Sequence, residues 1–319
     1  MKVLYLCNRD QYVTKMSRVR FHSMEAIGEI CDLRWSGPNW KGYDTNKSAQ
    51  ENIDVIYGGE DKPDLVVGYK PLDLEGFSGI EAKKCIRYNE MYDEAWTKKE
   101  IDESGADIVI CHHLNDMNHY KENIYDGSRI HFINIPHSAE RTIFKDMRLD
   151  KKIDLMLVGS IYYESMLGKH YPLRERMVGI LQRMSKRYQC KLYPHPGGDH
   201  MDSYTSIYTK QFAYAVNSSK ICVTCSGAPK SRFGKYVEIS MCGTALAADL
   251  PGEQQDDISK FLIDINLDMD DYEIVDKLGY YIDNEVEREK LTSLGLKWSE
   301  NYTQEEYAKR FTERIKDAI

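Results

Sequence analysis

Short apolar, β-type runs alternate with helical stretches along the chain, and the alternation starts twice. Residues 3–7, 31–35, 65–69, 84–88, 108–111 and 130–133 read as strands, with helical stretches near 17–30, 45–53 and 97–104. After a charged stretch at 145–152 the pattern restarts with a strand at 153–158. A helix at 173–187, a strand at 190–193, a helix at 208–217, a strand at 221–224, a helix at 234–241 and a strand at 245–248 follow. A strand-like piece at 262–265, a helix at 271–283 and long helical segments from 285 onward complete the series. Buried apolar strands separated by helices predict parallel sheets covered on both faces. Two such series predict an α/β chain of two Rossmann-like domains facing across a cleft. The expected divisions are 1–148, 149–301 and a terminal helix at 302–319.

The length of 319 residues suits two domains of ordinary size. With 42% hydrophobic and 29% charged residues, the composition is that of a soluble globular protein. Apolar runs stay far short of the roughly 20 residues that a membrane helix needs. The opening Met1–Cys7 is too short for a signal-peptide core and reads as a first strand. Eight cysteines are scattered, mostly inside apolar runs, which predicts reduced thiols and a cytoplasmic setting. A net charge of −8 gives no footprint for duplex nucleic acid, so no such partner is expected. The 23 tyrosines read first as packing residues, with stacking against sugars as the other use.

The richest stretch is residues 219–249, SKICVTCSGAPKSRFGKYVEISMCGTALAAD. It runs apolar strand, Gly/Pro turn, basic helix start, one acid on the helix, then Cys-Gly-Thr and a second apolar strand. A helix N-terminus offers N–H groups and partial positive charge to a diphosphate. Lys230, Arg232 and Lys235 add full charges, and Ser226 and Gly227 line the turn before them. Glu238 follows Lys235 by three residues, so both sit on one helix face. A carboxylate there can accept hydrogen bonds from two ribose hydroxyls. Gly243 permits close backbone approach to a ligand, with Thr244 beside it. Cys222 and Cys225 form a CxxC within strand-type sequence, and side chains three apart on a strand point to opposite faces. They are therefore expected as two strand cysteines rather than a redox or zinc pair.

On Lys235, Glu238, Cys242-Gly243-Thr244 and the apolar strand to Asp249, the segment resembles the nucleotide-binding half of GT-B glycosyltransferases, in particular the group-1-like branch with the CgeB-type proteins. Many retaining members carry a second glutamate eight positions before the first, where this chain has Lys230. The resemblance extends to residues 153–250. A strand ending in Gly159-Ser160 resembles the one facing the donor phosphates, and Tyr171-Pro172 with Arg174 matches a Tyr-Pro-x-Arg helix start. Arg174 either binds phosphate or orients the helix. Over residues 1–150 the likeness is one of architecture.

Other motifs offer paired readings. Tyr193-Pro194-His195-Pro196-Gly197-Gly198 is a rigid loop after a strand. The resemblance puts it beside the nucleotide base, where His195 stacks or donates; a structural turn is the alternative. A metal site from His195, Asp199 and His200 lacks a further ligand cluster with clear spacing, so no metal is expected. Arg18 and Arg20 either meet an anion or sit exposed near a helix start. Glu90 and Asp93 sit in a loop after a strand, and either carboxylate can serve as the general base of an inverting transfer, which must be a carboxylate or histidine within reach of the acceptor hydroxyl; Asp93 reads equally as a helix N-cap. His112 and His113 resemble the cleft histidines of retaining members, while Asn115 or Asp116 reads equally as a helix cap. Ile135-Pro136-His137-Ser138 resembles the family's Ile-Pro-(His/Asn)-Gly segment, with Ser138 in place of glycine.

The resemblance implies transfer of a sugar from a nucleoside-diphosphate sugar, a UDP-sugar first, to a glycan or other hydroxyl acceptor. Residues 1–148 would bind the acceptor, 149–301 the donor, and the terminal helix would pack back on the first domain. No metal or other cofactor is implied. The alternatives are a non-catalytic scaffold that binds a sugar nucleotide or glycan, a glycosyltransferase acting on DNA, and a sugar-nucleotide epimerase on the same fold.

Overall fold

The computed structural model describes residues 1–10, 23–58, 62–88, 91, 93–161, 170–193 and 205–319. Two compact units emerge, one from Met1–Pro136 with Gln304–Ile319, the other chiefly from 137–303.

The first unit holds a six-stranded, all-parallel sheet. Its strands are β1 (Lys2–Leu6), β2 (Asp32–Ser36), β3 (Leu65–Gly68), β4 (Lys83–Tyr88), β5 (Ile108–Cys111) and β6 (His131–Asn134), in the order β2-β1-β3-β4-β5-β6. Period-two alternation sends Val3, Tyr5 and Cys7 into one apolar layer and Leu4 and Leu6 into the other, so both faces are dry. Helix α1 (Ala49–Tyr57) starts on a capping box between Ser48 and Glu51 and ends on Gly58 in the left-handed conformation. Helix α2 (Glu94–Ser104) starts at Asp93, whose side chain accepts the Trp96 N–H at 3.0 Å. Helix α3 (Leu114–His119) continues into a π-helical turn at Tyr120–Ile124.

The second unit holds a five-stranded parallel sheet, ordered β11-β10-β9-β7-β8. Its strands are β7 (Ile153–Val158), β8 (Cys190–Tyr193), β9 (Ser219–Val223), β10 (Ala245–Ala248) and the two-residue β11 (Ile263–Asp264). Helix α4 (Pro172–Met184) opens with proline, whose missing N–H costs nothing at a helix start. The other helices are α5 (Thr205–Asn217), α6 (Gly234–Met241), α7 (Gln255–Ile258), α8 (Asp271–Asp283) and α9 (Glu285–Ser299). Leu155, Leu157, Ile221 and Val223 face one layer, and Met156, Val158, Cys222 and Leu246 the other. Cys222 and Cys225 fall in opposite layers, as expected, and burial pushes the Cys222 thiol up to about 12. All eight cysteines are free thiols.

The last helix, α10 (Gln304–Lys316), belongs to the first unit. Tyr307, Ala308, Phe311 and Ile315 form its apolar stripe and pack into the same layer as Val3, Tyr5 and Ile110. The Tyr307 hydroxyl accepts Arg87 Nε of β4 at 3.2 Å.

Some local expectations change. The described end of the 17–30 helix includes a 3-10 turn at Ala26–Glu29; Arg18 and Arg20 lie outside the described residues. The α3 N-cap is His113, so neither Asn115 nor Asp116 caps it. Asp116 instead accepts the Met91 N–H at 3.1 Å. Among the described residues no helix is long and apolar enough to cross a membrane.

Glu100 of α2 supplies a pH-linked test of the first unit. It is buried and accepts the Tyr88 hydroxyl at 2.5 Å, and desolvation raises its carboxyl above the usual value despite that bond. A carboxyl raised on folding contributes stability below the unfolded value of about 4.3, and that contribution is lost as pH rises through the folded value. Glu100→Gln is therefore expected to gain stability over wild type as pH rises from acid to neutral. Urea midpoints of both proteins across that range check it, and a gap that shrinks with pH would refute it.

Candidate active site

In the second sheet the chain lays β8 on one side of β7 and β9 on the other. Such a reversal opens a crevice outside the carboxyl ends of the two strands, where open α/β sheets bind ligands. Beyond β7 come Gly159 and Ser160; beyond β9 come Thr224, Cys225 and Ser226.

Arg174, near the start of α4, braces both strand ends. Its Nη2 donates to Thr224 Oγ1 at 3.1 Å and its Nη1 to the Ser160 carbonyl at 3.4 Å. The guanidinium lies over the Tyr171 ring at 4.0 Å and is almost wholly buried. Gly159 has φ +102°, and a Cβ there would stand 2.6 Å from Arg174 Nη1. Only glycine serves where both the backbone angle and the space forbid a side chain. Of its two expected roles, Arg174 is placed for orientation of helix and loop.

The loop after β9 folds around Asp249, the residue that follows β10. Asp249 accepts the Ser226 N–H at 2.7 Å, the Ser226 hydroxyl, and Lys230 Nζ at 3.0 Å. Ser231 N closes the turn on the Ser226 carbonyl at 3.0 Å, and Ala228 N donates to the His170 carbonyl at 2.8 Å. Gly227 at φ +69° fits beneath that carbonyl, where a Cβ would come within 3.0 Å.

Helix α6 then begins at Phe233, whose side chain makes no cap hydrogen bond. Lys235 Nζ donates to Glu238 Oε2 at 2.5 Å and lies over the Phe212 ring at 4.2 Å. The Glu238 side chain is 7% exposed, against 25% for Lys235. Its second oxygen, Oε1, faces Gly234: a Cβ added there would stand 3.6 Å away. One oxygen is thus fixed by a cation while the other lies beside a position without a side chain.

Gly159, Ser160, Arg174, Ser226, Gly227 and Lys230 therefore gather at the carboxyl ends of the strands, and α6 with Lys235 and Glu238 follows directly from that loop. Two expectations are corrected. The Arg232 guanidinium is not presented to a ligand: it is buried, donates to the His137 carbonyl at 3.0 Å and lies over the Tyr302 ring at 4.6 Å. Gly243 and Thr244 sit before β10, at the opposite edge of the sheet. There Lys151 Nζ donates to the Gly243 carbonyl at 2.9 Å and to Thr244 Oγ1 at 3.1 Å, and the Thr244 hydroxyl donates to the Val216 carbonyl at 2.8 Å. Gly243 at φ +61° ends the helix turn and packs on Asp146. It serves packing there, not ligand approach.

In the first unit, His112 and His113 follow β5 at its carboxyl end, and both are buried. His112 Nδ1 donates to the Ile135 carbonyl at 2.6 Å, which fixes the tautomer, and its ring lies 5.7 Å from that of Tyr307. Asp93 is engaged as the α2 cap, the second of its two readings. Glu90, His195, Asp199 and His200 lie outside the described residues. Among those described, no cluster of three or more metal-ligating side chains occurs.

Asp249 and Glu253 were not found by motif. Glu253 is buried and accepts the Arg232 N–H at 2.7 Å. Asp249 carried a usable signal, since an acid directly after an apolar strand lies on the ligand edge of a parallel sheet.

Solved structures share this fold. Sucrose-phosphate synthase from Thermosynechococcus elongatus superposes with a TM-score of 0.61 at 11% identity, over 99% of this chain and 98% of that one. Anabaena Alr3699/HepE, solved with UDP and glucose, gives 0.60 at 9% identity over 99% and 100% of the two chains. The DNA-modifying enzyme β-glucosyltransferase, solved with and without uridine diphosphoglucose, gives 0.60 at 14% identity over 98% and 99%. The fold is GT-B. No protein-family model and no curated protein matches the sequence.

Proposed function

We propose that this GT-B chain is a glycosyltransferase that moves a sugar from a nucleoside-diphosphate sugar, a UDP-sugar first, to an acceptor hydroxyl. The observation that carries it is Glu238, a nearly buried carboxylate held by Lys235, with Oε1 beside Gly234 and the α6 N-terminus one turn away. A carboxylate suits ribose hydroxyls, and the helix N-terminus suits a diphosphate. UDP or uridine diphosphoglucose accompanies two of the structural neighbours, which favours uridine. Assignment to the CgeB-type branch rests on Lys235, Glu238 and Cys242-Gly243-Thr244.

In the transfer, the acceptor oxygen bonds to the anomeric carbon as the bond from that carbon to the phosphate oxygen breaks. The diphosphate leaves with the electron pair. Its growing charge falls to the α6 N-terminus, Lys230 and Lys235, so the chemistry proposed is metal-independent. The acceptor proton passes to a base.

A sugar-nucleotide-binding scaffold is the second reading. It is favoured by Lys230, which occupies the position of the second glutamate of retaining members and is paired with Asp249. A thermal-shift panel of UDP, GDP, ADP, TDP and CMP with their sugar conjugates tests the donor site. A rise in Tm with UDP and UDP-sugars is expected, because a ligand bound only by the folded state stabilises it. No rise with any of them at millimolar concentration would overturn the donor site. UDP release from the stabilising conjugate, with an acceptor panel present, separates enzyme from scaffold.

A further inference from the structure

We propose that Asp249 is a positioning residue for the donor diphosphate: it fixes the Lys230 ammonium at the carboxyl edge of the second sheet, where a phosphate charge is met. This rests on the donor site proposed above and assigns a role to a residue no motif had singled out.

Lys230 occupies the left-handed region at φ +53°, a conformation that glycine adopts freely and a lysine adopts at a cost of about 1 kcal/mol or more. The turn is held on both sides, with Lys230 N donating to the Gly227 carbonyl at 3.1 Å and Gly252 N to the Lys230 carbonyl at 2.7 Å. The lysine thus stands on a strained turn whose backbone is fixed at both ends. That side chain is 54% exposed, whereas the carboxylate it meets is 8% exposed. The ammonium therefore stands between solvent and a buried anion.

Asp249 does not depend on Lys230 for its own place. The Ser226 N–H and hydroxyl both donate to it, so the carboxylate is anchored on the loop and the flexible lysine stem is the positioned partner. The arrangement also solves an electrostatic problem. An unscreened carboxylate at this edge would repel a diphosphate, and the ammonium in front of it reverses the sign of the local field. Asp249 is too buried to touch the ligand and acts through Lys230.

Binding of UDP and of uridine, measured by ligand-observed NMR on the full chain, tests this. Asp249→Asn keeps the side-chain shape and removes the charge. It is expected to weaken UDP roughly tenfold, the worth of one charge-assisted hydrogen bond, and to leave uridine unchanged. Lys230→Met is expected to do the same, and the double variant to lose no more than either single one. Should Asp249→Asn fail to fold, unchanged UDP binding by Lys230→Met still overturns the proposal, since its exposed ammonium can be removed without opening the core. Equal weakening of uridine and UDP would show a general support role and overturn the proposal, as would unchanged UDP binding. A wild-type protein that binds neither ligand would overturn the donor site itself.

Discussion

Glu238→Ala is expected to weaken UDP binding by roughly 10- to 100-fold, the loss of one or two hydrogen bonds to a charged group. The effect has two parts. The ligand loses its acceptor at Oε1, beside Gly234. Lys235, three-quarters buried over the Phe212 ring, loses the carboxylate that orients it. Glu238→Gln separates the parts, because the amide oxygen still accepts from Lys235 while the charge is gone. Calorimetric titration of UDP into wild type and both variants reads the difference. If alanine binds UDP as wild type does, Glu238 does not hold the ribose.

Arg232→Ala is expected to cost about 3–5 kcal/mol of stability with no direct effect on donor contacts. The side chain is 1% exposed, and the guanidinium is held by the His137 carbonyl and the faces of Tyr302 and Trp298. Truncation leaves a cavity among those rings and a carbonyl without its donor. Arg232→Met refills most of the volume and is expected to recover part of the loss; the remainder belongs to the guanidinium. Lysine is a poor substitute, since an ammonium cannot stack and donate in one plane. Urea denaturation of the three proteins decides. A loss below about 1 kcal/mol for alanine would mean that the rings close over the gap.

The sheets were legible because buried parallel strands announce themselves as dense apolar runs. Strands β5, β7, β8 and β10 and helices α6 and α8 start and stop where the residue pattern puts them. Strand order was not legible, since it depends on which crossover covers which face. Without it, the reversal between β7 and β9 that locates the crevice could not be named from sequence.

The same gap explains the misplacement of Gly243 and Thr244. They are close in sequence to Glu238, yet α6 carries the chain back across the sheet, so its two ends lie at opposite edges. Arg232 failed for a different reason. Basic residues before a helix usually face water or a ligand, and only the packing of Trp298 and Tyr302, distant in sequence, reveals a buried guanidinium. Asp93 and Arg174 each carried two readings that residue type alone could not separate.

The membership of α10 has a consequence for how the chain is made. The layer beneath β1 and β3 is completed by Tyr307, Phe311 and Ile315, which leave the ribosome only after all of 137–303 has been synthesised. The second unit, drawn from one nearly continuous stretch, can close while translation continues; the first must wait with an apolar face open. Of the two units, the one translated first is therefore the one that finishes folding last.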